Sequence, residues 1–68
     1  MFEQIRKETK LKMLKMHKSG KSKRNEMVQE LGVKTDIEKI MFDEIWRELV
    51  IALIQNERNV DALIKECE

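Results

Sequence analysis

The chain has 68 residues, of which 28 are apolar, 27 are charged and none is proline, enough for one small domain over residues 1–68 and too few for a second. A core of this size supplies only about 3–5 kcal/mol by itself; with one cysteine (Cys67) an internal disulfide cannot add to it, and one histidine (His17) disfavours an internal zinc site. The formal charge of +1 divides into +7 over residues 1–24 and −6 over residues 25–68, so the chain is a dipole along its sequence, with a basic N-terminal segment and an apolar and acidic core at 35–68.

Good helix formers dominate and no β-branched alternation occurs, which predicts an all-α fold. The first helix is expected from about Phe2 to His17 or Lys18. At 100° per residue Phe2, Ile5, Thr9, Met13 and Met16 share one face, with Leu11 and Leu14 off that stripe. Lys18-Ser19-Gly20-Lys21-Ser22 breaks the pattern, with a serine able to cap the next helix. That second helix is expected over Lys23–Leu31, burying Met27, Val28 and Leu31 and ending at Gly32, where a left-handed residue belongs.

Thr35-Asp36-Ile37-Glu38 has the form of a capping box. It places the Thr35 hydroxyl on the Glu38 amide and the Glu38 carboxylate on the Thr35 amide, and starts the third helix near Asp36. Twelve of the eighteen residues from Ile37 to Ile54 are apolar, more than one face requires. Phe42, Ile45, Trp46, Leu49, Ala52 and Leu53 form a broad core stripe. Ile40, Ile51 and Ile54 form a second strip, interleaved with Asp43 and Arg47, which can pair at i,i+4. Two separated strips need two covering surfaces. The first two helices supply one, and the simplest source of the other is a second molecule. The third helix either continues to the C-terminus or, the favoured reading, breaks or kinks at 55–59, where Asn59 can cap a last short helix with Val60, Leu63, Ile64 and Cys67 on one side.

Several chemistries are disfavoured. Gly20-Lys21-Ser22 lacks the earlier glycine and the preceding strand of a phosphate-binding loop. The carboxylate pairs Glu26/Glu30 and Glu44/Glu48 offer fewer oxygens than a hard cation recruits. Neither His17 nor Cys67 has the partners of a catalytic base or nucleophile. The longest apolar run, Leu49 to Ile54, is far short of the roughly 20 residues that span a bilayer. The opening residues do not form a secretory leader. The expectation is therefore a cytoplasmic protein with no enzymatic activity, cofactor, metal or membrane partner.

The basic segment offers Lys12, Lys15, Lys18, Lys21, Lys23 and Arg24 to nucleic-acid phosphates or to an acidic protein partner. Equally, these cations can face the acidic half of the chain. Lysine predominates and aromatic residues are scarce, so nucleic-acid binding through this segment would be largely non-specific. Glu26-Met27-Val28-Gln29-Glu30-Leu31-Gly32-Val33 resembles the first helix and turn of a helix-turn-helix DNA-binding unit. The resemblance covers eight residues. Six residues past the glycine it meets Glu38 where such units place an aliphatic, and Asp36, Glu38, Asp43 and Glu44 on the following helix would repel phosphates.

Together these features predict a bundle of three to four helices, oligomeric, with a long apolar third helix. Its expected role is that of a small binding or regulatory protein. Contact runs through Ile40, Arg47, Ile51 and Ile54 to a protein partner or a second copy. The alternative is a small dimeric nucleic-acid-binding regulator.

Overall fold

Three of the four helices in the computed structural model, which describes residues 2–68 and of Phe2 only the backbone, end in the same hydrogen-bonded device. The helices are α1 (Phe2–Lys18), α2 (Arg24–Leu31), α3 (Asp36–Gln55) and α4 (Val60–Cys67). After α1, Gly20 N–H donates to His17 O and Lys21 N–H to Met16 O. After α2, Gly32 N–H donates to Gln29 O and Val33 N–H to Val28 O. After α3, Glu57 N–H donates to Ile54 O and Arg58 N–H to Leu53 O. Each is a Schellman pair, which needs a left-handed residue just past the helix. Gly20 (φ 91°) and Gly32 (φ 67°) fill that position without a Cβ penalty, whereas α3 uses Glu57 (φ 52°), followed by Arg58 (φ 62°).

The helix starts follow the sequence in two cases. Thr35 Oγ1 accepts from the Glu38 amide at 3.1 Å and Asn59 Oδ1 from the Ala62 amide at 3.1 Å, fixing α3 and α4. The reciprocal half of the capping box differs from expectation. Glu38 Oε2 accepts from the Lys34 amide at 3.3 Å rather than from Thr35. The second helix also departs from the serine cap. Its N-cap is Lys23, which makes no side-chain cap bond, and Ser19 Oγ instead donates back to Lys15 O at 3.0 Å.

The described residues form a compact all-α bundle, with a Cα radius of gyration of 11.3 Å. Its core is Met13 and Leu14 from α1, Met27 from α2, Phe42, Ile45, Leu49 and Leu53 from α3, and Leu63 from α4. The stripe read on α3 is the buried one, with Trp46 and Ala52 packed at its edge, and Val60, Ile64 and Cys67 join from α4 as their spacing implies. The face of α1 needs correction. Leu14 is fully buried beside Met13, while Ile5 is 43% exposed. A single-stripe reading fails because α1 packs against α4 as well as α3. Two contact surfaces widen the buried arc until it includes a residue that one stripe leaves out. The Phe2 side chain of the expected stripe lies outside the described residues.

Candidate functional site

Helix α3 buries one face and leaves another bare. Ile37 is 78% exposed, Ile40 62%, Ile51 55% and Ile54 67%. Large aliphatics exposed singly are ordinary; four along one helix form a patch, the pattern that marks contact surfaces. Of the four residues expected to make a partner contact, Ile40, Ile51 and Ile54 lie on this face with Arg47, also exposed, among them. The expected Asp43–Arg47 pair is not formed. Asp43 instead accepts from Arg24 Nη2, whose guanidinium carbon sits 5.4 Å from the Phe42 ring centroid. Arg24 can serve both groups because its planar head satisfies a carboxylate while lying against an aromatic face. Among the described residues Arg47 has no carboxylate partner.

Two further residues belong to the face. Ile37 is its most exposed isoleucine. Glu44, also exposed, lies 3.6 Å from Arg6 of α1, whose Nη2 donates to Glu48 at 2.9 Å. Arg6, Ile37, Ile40, Met41 and Glu44 line a shallow groove of about 260 Å³ between α1 and α3. The signal for both residues was present in the sequence: Ile37, Ile40, Glu44, Arg47, Ile51 and Ile54 recur at alternating intervals of three and four, the spacing of a helix-pairing seam.

The six cations proposed for an acidic ligand do not form one free surface. Lys18 pairs with Asp61 at 2.7 Å, Lys21 with Glu30, and Arg24 with Asp43. The hydrogen bond and then the charge of Asp61 hold the Lys18 ammonium above its ordinary pKa, and Glu30 does the same for Lys21. Lys12 lines a groove between α1 and α3 that Glu38 also lines. Lys12, Lys15 and Lys23 are exposed and, among the described residues, lack an acidic partner.

Chemistry-bearing groups are sparse elsewhere. His17 and Trp46 line a groove of about 230 Å³ at the C-terminal half of α3, and no group of three His, Cys, Asp or Glu side chains able to hold a metal ion occurs among the described residues. No described helix is long and apolar enough to cross a membrane. Comparison with protein-family models, with curated proteins and with solved structures found no match to this chain.

Proposed function

We propose that this chain is a non-enzymatic binding protein that docks through the exposed face of α3, with Ile37, Ile40, Ile51 and Ile54 as apolar anchors and Arg47 as the charged one. The observation that carries this reading is the exposure of four isoleucines along a helix whose opposite face already fills the core. Covering them removes apolar surface from water at roughly 25 cal/mol per Å², a large gain for a domain of marginal internal stability. The lysines of α1 and the turn after it add attraction toward an acidic partner.

The test is Ile51→Glu. Position 51 is more than half exposed, so the variant chain keeps its helicity. Its association with a second copy, or with a partner retained by the wild type, is lost. Undiminished association by Ile51→Glu contradicts the reading.

A second reading, a nucleic-acid-binding regulator, draws on Lys12, Lys15 and Lys23, which lack intrachain acidic partners. With Lys18, Lys21 and Arg24 engaged within the chain, binding would rest on fewer contacts than the sequence offers, and a shallow salt slope follows. Replacing Lys12, Lys15 and Lys23 with Gln flattens that slope further if this reading holds. No shift of DNA or RNA at low salt removes it.

A further inference from the structure

The exposed face of α3 reads the same in both directions. Its residues are Ile37, Ile40, Glu44, Arg47, Ile51 and Ile54, at intervals of 3, 4, 3, 4 and 3. Turned end over end, the series again runs apolar, apolar, charged, charged, apolar, apolar, but with the two charges exchanged. A helix with this pattern complements a copy of itself laid antiparallel.

We propose that a second copy of this chain covers α3, antiparallel, about a two-fold axis passing between Ile45 and Trp46. The proposal rests on the reading of α3 as the docking face and adds the occupant and its register. In this register Ile37 meets the partner's Ile54 and Ile40 meets the partner's Ile51. Glu44 meets the partner's Arg47, and the two-fold repeats each pair. An isologous contact of this kind is closed, so it stops at two chains.

Charge decides between orientations. A parallel pairing sets Glu44 on the partner's Glu44 and Arg47 on the partner's Arg47, two like-charge contacts at the centre of the seam. The antiparallel pairing converts both into ion pairs, and polar residues at seam positions are well-attested selectors of register. Arg47 is available because Asp43, its neighbour one turn back, is held by Arg24. Among the described residues the one ion-pair contact of Glu44 is with Arg6 at 3.6 Å, and Arg6 keeps its shorter bond to Glu48 at 2.9 Å when Glu44 turns to a partner. The flanking positions fit as well. Glu48 lies opposite the partner's Met41 and Asp43 opposite the partner's Val50, so no like charges are opposed there. The groove lined by Ile37, Ile40 and Met41 faces the partner's Ile51 and Ile54.

Sedimentation equilibrium of the full chain with Glu44→Arg, Arg47→Glu and the double variant tests the proposal. The wild type is expected to dimerise. Each single reversal creates two repulsive contacts and weakens the dimer at least about tenfold. The double variant restores both ion pairs with their signs exchanged and recovers dimerisation. An equimolar mixture of the two single variants forms a heterodimer at concentrations where each variant alone stays largely monomeric.

Running Ile51→Glu alongside separates this proposal from the reading beneath it. A dimer abolished by Ile51→Glu but indifferent to the charge series overturns the antiparallel register and leaves the docking face standing. A dimer that survives Ile51→Glu overturns both. A wild type that stays monomeric at the highest soluble concentration overturns the second copy as occupant, and leaves the docking face to be judged by loss of a retained partner in Ile51→Glu.

Discussion

Arg24 donates to Asp43 while lying 5.4 Å from the ring centroid of Phe42, so one side chain at the start of α2 ties that short helix to the middle of α3. Besides this tie, α2 contributes only Met27 to the buried core. Arg24→Ala removes the ion pair and the ring contact together and is expected to cost about 1 kcal/mol, most of it from the ring contact because the pair is half exposed. Arg24→Lys keeps a charge but loses the planar head and recovers less than half of that loss. Urea unfolding of the two variants measures both.

Burial differs sharply along α1. Leu14 and Met13 are fully buried and Ile5 is not. Leu14→Ala or Met13→Ala is expected to cost about 2–5 kcal/mol, comparable to the whole stability of so small a domain, and the variants lose cooperative unfolding. Ile5→Ala changes the midpoint little. Far-UV circular dichroism against temperature gives the comparison.

Glu57 holds the position after α3 that Gly20 and Gly32 hold after α1 and α2. A left-handed conformation costs a residue with a Cβ about 1–2 kcal/mol, partly offset by the greater chain entropy that glycine loses on folding. Glu57→Gly is therefore expected to stabilise the protein by about 0.5–1 kcal/mol, read as a higher urea midpoint at an unchanged slope. Gly32→Ala, which places a Cβ at φ 67° in otherwise open space, destabilises by a similar amount through backbone strain alone.

The lysine pairs set an alkaline limit. Lys18 and Lys21 have raised pKa values in the folded protein, so the folded state holds their protons more tightly than the unfolded one. Their contribution is complete below the ordinary lysine value and is lost as pH rises through the folded values. Both lysines are exposed, and the loss is small. Lys18→Met/Lys21→Met is expected to lessen the decline in stability between neutral and strongly alkaline pH, measured by urea unfolding across that range.

Local chemistry was legible in the sequence and tertiary choice was not. Thr35 and Asn59 announced α3 and α4 because a side-chain cap needs only its own first turn, and Gly32 announced the end of α2 because its backbone conformation is intrinsic. The core stripe of α3 was legible from periodicity. Leu14 was misplaced because α1 meets two helices, which its own residues do not record. Spacing lets Asp43 pair with Arg47 at i,i+4, whereas Arg24 reaches it from another helix with the Phe42 ring beneath to rest on. Glu57 was silent because glutamate carries no preference for the left-handed region. On the candidate face, Ile40, Arg47, Ile51 and Ile54 followed from the wheel, and Ile37 and Glu44 emerged once the bare surface outlined the full seam.

What stands or falls on solution mass is that a second copy of this chain covers the exposed face of α3. Light scattering on the wild type and Ile51→Glu at matched concentrations decides it. The expected wild-type mass is twice 8.2 kDa and the variant mass that of one chain, with the same helicity. Equal masses for the two proteins, whether monomer or dimer, would contradict it.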